Sequence, residues 1–231
     1  MRKMCARRFC PISRGKVRRL IMHFRDKSRQ YAQELAFSKI VPQDDSFERD
    51  VCDTCGLINY VNPKLVAGVV AIWHEDCEDK ILMCKRAIEP RKGFWTLPAG
   101  FMEQGETVAE GAAREAKEEA CADVATDALI GVYNVARIAQ VQMFYRGRLQ
   151  SPEIAAGPES EEVALMSWDE IPWDELAFPA VYYALQHWCA TKDDAAFAPF
   201  SEPENWADTP GFEALRARYE QVDKQRDKKA E

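Results

Sequence analysis

The sequence lacks any apolar run approaching about 20 residues, the length that a membrane-spanning helix needs. Its first residues contain only the short apolar run 20–22, whereas a secretory signal needs about 7–15 apolar residues. It also lacks an internal repeat and the biased composition of a collagen-like, mucin-like or disordered chain, since 47% of its 231 residues are hydrophobic. We therefore expect a globular cytoplasmic protein without a membrane segment.

Basic charge is scarce outside the first 30 residues. Residues 1–30 contain 11 Lys or Arg and one acidic residue, Asp26, for a net charge of +10. The other 201 residues contain 20 basic and 37 acidic residues, for a net charge of −17. Because nucleic-acid binding depends on a basic surface, the acidic body disfavours that role and leaves it open for the first segment only. That segment fits a solvated extension, a transit presequence or sequence upstream of an alternative start at Met22.

The eight cysteines do not indicate a disulfide framework, because the chain is large and lacks a secretory signal. Cys52 and Cys55 form a Cys-x-x-Cys turn, which is half of a zinc knuckle. A four-ligand site needs a second pair, and the upstream candidates are Cys5 and Cys10. We therefore prefer a relic turn or an incomplete site over bound zinc.

Hydrophobic periodicity predicts six strands and two helices. The strands are expected over 65–73, 81–86, 94–97, 129–135, 140–149 and 163–168. The helices are expected over 107–122 and 178–190. Thr107 and Glu110 form a capping box at the start of the first helix, and Pro179 is tolerated in the first turn of the second.

The first of these helices gathers three carboxylates. At about 100° per residue, Glu118 and Glu119 lie within about 60° of Glu115, beside a face of alanines suited to close packing on a sheet. Like charges at this spacing repel each other, so the cluster favours a bound cation. Carboxylate-only ligation selects hard divalent ions such as Mg²⁺ or Mn²⁺. The alternative is a solvated acidic face, which the helix alone would favour.

The residues around this helix carry a family motif. Residues 100–122 read GFMEQGETVAEGAAREAKEEACA, with Glu106 six positions after Gly100 and a block RE-A-K-EE from Arg114. This pattern resembles the Nudix box at every charged position, and Cys121 stands where the family has Gly. The flanks over 62–64, 93–100 and 168–172 also resemble bacterial Nudix hydrolases, so that the similarity covers roughly residues 45–190.

This resemblance implies an α+β fold, in which an α/β/α sandwich with a mixed sheet is preceded by a small zinc-ribbon-like segment. The implied domains are a basic N-terminal extension, a degenerate zinc-ribbon-like turn, a Nudix domain and a charged C-terminal tail, over 1–45, 46–63, 64–192 and 193–231. The usual first Cys-x-x-Cys pair of such a segment is missing, which disfavours zinc at Cys52 and Cys55.

The resemblance also implies roles for individual residues. The metal ligands would be three box glutamates and one backbone carbonyl, namely Glu115, Glu118, Glu119 and Ala99. Arg114 would orient a glutamate through a bidentate hydrogen bond, and Glu106 would support the loop and the helix. The general base stays open among Glu115 in the box and two glutamates of the later loop 157–162, which are Glu159 and Glu162. The candidate substrate contacts are Arg86, Trp95 and Gly100, with a surface charge and a core position as the alternatives for the first two.

The implied reaction is Mg²⁺-dependent hydrolysis of a nucleoside diphosphate derivative. Residues 133–138 lack the segment typical of NADH pyrophosphatases, whereas 98–100 and 162–179 resemble ADP-ribose and FAD pyrophosphatases. ADP-ribose or FAD is therefore the expected substrate and AMP a product, with a homodimer as an option. The alternative is a non-catalytic Nudix nucleotide sensor, which the intact acidic box disfavours.

Overall fold

The computed structural model of this chain describes residues 36–203 and Ala217. The chain divides into two compact units, Met1–Asn62 and Pro63–Glu231, which are described separately. The basic segment over 1–30, together with its Cys5 and Cys10, lies outside the described residues. No described helix has the length and apolar character needed to cross a membrane.

The described part of the first unit forms a three-stranded antiparallel sheet. Its strands are β1 (Phe37–Ile40), β2 (Arg49–Cys52) and β3 (Ile58–Asn59), in the order β1-β2-β3. The Cys-x-x-Cys turn joins β2 to β3, and Gly56 closes it with φ 70° and an N–H bond of 2.8 Å to the Cys52 carbonyl. The sequence predicts only a turn in this region, and the boundary that we drew at residue 45 falls between β1 and β2.

The part of the second unit that the structure describes up to residue 203 is built on an eight-stranded mixed sheet with two α-helices. Six strands follow the order β10-β5-β4-β9-β8-β11, while β6 pairs with β5 and β7 pairs with β4. The pairs β4–β9 and β8–β11 are parallel, and the other pairs are antiparallel. The bounds are β4 (Lys64–Glu75), β5 (Glu78–Arg86), β6 (Trp95–Thr96), β7 (Ala99–Phe101), α1 (Val108–Ala120), β8 (Val124–Val135), β9 (Gln140–Leu149), β10 (Ser160–Met166), α2 (Pro179–Thr191) and β11 (Phe200–Ser201).

The two helices cover opposite faces of this sheet. Successive residues of a strand point to opposite faces, so Val69 packs in the α1 cluster and Val70 in the α2 cluster. The face of α1 that meets β4 consists of alanines without exposed surface, namely Ala112, Ala116 and Ala120. These small side chains let α1 approach the sheet closely. The neighbouring charged residues of α1, Glu115 and Glu119, therefore lie close to β7. The arrangement is an α/β/α sandwich.

All six strands and both helices expected from periodicity are present; the strand expected over 140–149 has those ends, and the other elements have at least one shifted end. The strand expected over 94–97 is reduced to β6, and a further short strand, β7, begins at Ala99. The segment 193–231, which was assigned to a C-terminal tail, contains the strand β11, since Phe200 and Ser201 pair in parallel with β8. Glu202 also accepts hydrogen bonds from the backbone and side chain of Asn134.

Candidate active site

A capping box fixes the start of α1. The Thr107 hydroxyl accepts a bond from the Glu110 N–H at 3.2 Å, and the Glu110 carboxylate accepts one from the Thr107 N–H at 2.7 Å. At the other end, Cys121 takes the left-handed conformation with φ 53°, and its N–H donates to the Lys117 carbonyl. This is the position where the family pattern has Gly, and the helix ends there as the resemblance implies. The two ends fix which residues of α1 face β7.

Gly100 in β7 lies directly against the Glu115 side chain. A Cβ at Gly100 would overlap the Glu115 carboxyl group. The absence of a side chain at Gly100 thus leaves room for the Glu115 carboxyl group, and the substrate contact expected from the sequence stays a prediction.

Arg114 joins the loop before α1 to two box glutamates. Its Nε and Nη2 donate to the two carboxylate oxygens of Glu106 at 3.0 and 2.8 Å. Its Nη1 donates to Glu115 at 2.7 Å and to Glu118 at 2.9 Å, and its Nη2 also donates to the Phe101 carbonyl. The guanidinium lowers the pKa of Glu106 to about 2, so this carboxylate stays ionised throughout the physiological range.

Two of the box glutamates are buried. Glu115 is 8% exposed and Glu119 is 6% exposed. Burial and the Glu115 charge raise the pKa of Glu119 to about 8, against the opposing effects of Arg86 and the Ala99 N–H. Burial also raises the pKa of Glu115, although Arg114 opposes the shift. Carboxylates in such surroundings are short of positive charge, and a cation would supply it.

The donor set fits a hard divalent cation, although the carboxylates do not converge. Within the described part of the chain, no three His, Cys, Asp or Glu side chains lie close enough together to hold a metal ion. Arg114 holds Glu115 and Glu118 toward the loop, while Glu119 accepts the N–H of Ala99. Oxygen donors beside a buried, cation-deficient carboxylate are the ligands that Mg²⁺ and Mn²⁺ prefer.

Arg86 lies at the end of β5 beside these carboxylates. Burial lowers its pKa, and the charges of Glu119, Glu159 and Glu89 act in the opposite direction. Its Nε donates to the Pro90 carbonyl at 2.9 Å. It also stacks on Phe178 at 5.1 Å, and the sequence offered no signal for this contact. Arg86 is therefore the cation that lies next to Glu119.

The structure separates the two loop glutamates that the sequence left as alternatives. Glu159 interacts electrostatically with both Glu115 and Glu119. Glu162 is paired in register with Lys85, and their charged groups lie 3.7 Å apart. Of the two, Glu159 is thus the one that lies with the box carboxylates.

Trp95 lies in the hydrophobic core, which is the alternative that the sequence left open. It is 6% exposed and packs in the α2 cluster. Its carbonyl accepts the Ala177 N–H at 2.7 Å, and the Lys85 amine lies 5.6 Å from its ring centre. The structure therefore assigns Trp95 to packing between β6 and the segment before α2.

The Cys-x-x-Cys turn belongs to the first unit. Cys52 is buried and Cys55 is exposed. The backbone N–H groups of Cys55 and Thr54 lower the pKa of the Cys52 thiol. Across residues 36–203 no third or fourth metal ligand joins this pair, and zinc is unsupported.

A cavity of about 700 Å³ lies at the opposite end of β4 and β5 from Arg86, and no box residue lines it. Two of its basic side chains are already paired, since Lys192 lies 3.3 Å from Asp79 and Arg146 lies 2.9 Å from Asp127. The box carboxylates, rather than this cavity, are therefore the candidate active site.

Comparison with known proteins places this site in a family. Residues 63–187 match the NUDIX domain profile, which is more than half of the chain. The chain therefore belongs to the Nudix family. The family and the enzyme class predicted from the box, a Nudix pyrophosphohydrolase, are confirmed.

Individual relatives agree with this assignment. An ADP-ribose pyrophosphatase from Methanocaldococcus jannaschii is 32% identical over 124 residues, which are 52% of this chain and 69% of that protein. A MutT-like protein from Streptomyces ambofaciens is 35% identical over 46% of this chain and 64% of its own length. The crystal structure of a Nudix hydrolase from Nitrosomonas europaea is 40% identical, with a TM-score of 0.66 over 71% of this chain and 92% of that chain. The predicted α+β Nudix fold is thereby confirmed.

Proposed function

We propose that this chain hydrolyses the diphosphate bond of a nucleoside diphosphate derivative, with ADP-ribose ahead of FAD, and releases AMP. The observation that carries the proposal is the pair of buried box glutamates, Glu115 and Glu119, held against β7 with their pKa values raised by burial. The archaeal relative named an ADP-ribose pyrophosphatase supports the choice of substrate.

The chain's own residues supply the ligands. Glu115, Glu118, Glu119 and the Ala99 carbonyl would hold Mg²⁺ or Mn²⁺. Arg114 donates to one oxygen of Glu115 and one of Glu118, so that the second oxygen of each carboxylate can face a cation. When bound, the metal neutralises the diphosphate and lowers the pKa of the attacking water.

Glu159 is the proposed general base. It shares the electrostatic environment of Glu115 and Glu119, and a base must stand within reach of the water whose proton it removes. Arg86 is the proposed phosphate contact, because its guanidinium lies beside Glu119 and Glu159 and can bind phosphate oxygens in pairs. A homodimer and a cytoplasmic location stay predictions.

The test is AMP release from a panel of ADP-ribose, FAD, dinucleoside polyphosphates and nucleoside triphosphates, with Mg²⁺ and with EDTA. We expect Mg²⁺-dependent turnover with the highest kcat/KM for ADP-ribose or FAD. Glu119→Gln should lower kcat by about 100-fold or more, since it removes a ligand charge. Glu78→Gln, an exposed glutamate on β5, is the matched control and should leave kcat unchanged.

Two results would contradict this proposal. Equal turnover by wild type and Glu119→Gln would show that the metal assignment is wrong. Nucleotide and metal binding without turnover of any diphosphate would instead favour the non-catalytic sensor.

A further inference from the structure

The loop before β10 meets the C-terminal end of α1 at a point where only Gly fits. The Gly157 N–H donates to the Glu119 carbonyl at 2.9 Å, and the Ala155 N–H donates to the Ala120 carbonyl at 3.0 Å. The last carbonyls of a helix lack partners within the helix, so the loop supplies them. A Cβ at Gly157 would overlap the backbone carbonyl oxygen of Glu118. Backbone atoms cannot rotate away as a side chain can, and any larger residue would therefore push the loop off the helix.

The same loop is fixed to β5 on its other side. The Glu159 carbonyl accepts the Ala87 N–H at 2.8 Å, and the Ser160 N–H donates to the Gly157 carbonyl at 3.1 Å. Ser160 then pairs with Arg86 as the first residue of β10. Glu159 is thus held between the helix that carries the box and the strand that carries Arg86.

We propose that Gly157 is a positioning residue for the reaction, because its contact with α1 sets the place of the Glu159 carboxylate relative to the box. The inference rests on the proposed function for the role of Glu159 as general base. A misplacement of about 1 Å can cost a reaction about 100-fold in rate, so a loop shifted by one methyl group impairs proton removal. Substrate affinity depends on other residues and changes little.

The first test is a double-mutant cycle with Gly157→Ala and Glu159→Gln, with ADP-ribose and Mg²⁺. Gly157→Ala should lower kcat about 10-fold or more and change KM less than about 3-fold. In the Glu159→Gln background, Gly157→Ala should lower kcat less than about 3-fold, because the carboxylate that Gly157 positions is already absent. Gly147→Ala is the matched control, since its Cβ would meet the Val124 and Val69 side chains at 2.6 and 2.8 Å, away from the loop. It should lower Tm and leave kcat unchanged.

The second test needs no activity. Hydrogen exchange should show the Ala87 and Ala155 amides protected in wild type and exposed by Gly157→Ala, but still protected in Gly147→Ala. Unchanged protection of these amides in Gly157→Ala would overturn the inference, whether or not the wild type hydrolyses a diphosphate. Absence of diphosphate hydrolysis by the wild type is a separate result, and it would defeat the proposed function.

Three kinetic results would also overturn the inference. These are no loss of kcat in Gly157→Ala, an equal loss in both backgrounds, and a Glu159→Gln variant with wild-type kcat. Each is compatible with ADP-ribose hydrolysis, so the proposed function would stand while the role of Gly157 fell.

Discussion

Glu119 makes the stability of the metal-free protein depend on pH. Burial and the neighbouring Glu115 raise its pKa to about 8 from 4.5, its value in an unfolded chain. Between these two values the folded state binds a proton that the unfolded state has released. Stability is therefore highest below pH 4.5 as far as this group is concerned, and falls as pH rises toward 8.

The magnitude follows from the size of the shift. About 3.5 pKa units at 1.36 kcal/mol each set a ceiling of about 5 kcal/mol over the full window. Between pH 6 and pH 8 the loss is about 2 kcal/mol, because the folded group is half ionised at the upper limit. For a domain of this size we expect Tm to fall by about 4–8 °C over that interval.

The assay is thermal unfolding in EDTA at several pH values between 6 and 8. Glu119→Gln keeps the side-chain shape and an acceptor for the Ala99 N–H, and it has no charge to bury. It should lose much less stability than wild type over the interval, whereas Glu78→Gln, the exposed control, should follow wild type. Parallel Tm curves for wild type and Glu119→Gln would refute the reasoning. Saturating Mg²⁺ should flatten the wild-type curve, because a cation favours the carboxylate.

Two further predictions concern Gly100, which lies against Glu115, and Cys121, which ends α1. Gly100→Ala should lower kcat about 10-fold or more and cost about 1–3 kcal/mol of stability, measured by kinetics and denaturant unfolding, because its Cβ would displace the Glu115 carboxyl. An active, fully stable variant would contradict it. Cys121→Gly should stabilise the protein by about 0.5–1 kcal/mol, since Cys121 holds φ 53°, where a side chain is strained. A lower Tm with unchanged kcat would show that the Cys side chain contributes contacts that outweigh this strain.

The helix that carries the site was predictable because its signals are local. The Thr107 capping box, the alanine face and the glutamate spacing all lie within one run of 16 residues, and each acts through helix geometry alone. The two-residue strands β3 and β11 gave no usable signal, since periodicity needs several residues to show itself. Their pairing is decided by neighbouring strands that are distant in sequence.

The partners of Arg114 show a second limit. The motif indicated that it orients a glutamate, and the structure adds Glu106, Glu118 and the Phe101 carbonyl to the single contact expected. A guanidinium has five donors in a fixed plane, but the sequence does not say which acceptors the fold will bring into that plane.

The choice between Glu159 and Glu162 could not be made from alternation, and the reason is a bulge. In a regular strand Ser160 and Glu162 would share one face of the sheet. Their partners in β5 are instead the consecutive residues Arg86 and Lys85, so the register shifts by one residue between them. The extra residue places Glu162 opposite Lys85, while Glu159, just before β10, interacts electrostatically with Glu115 and Glu119. The same shift sets Arg86 beside Ser160, which makes the proposed base and the proposed phosphate contact neighbours across one backbone ladder.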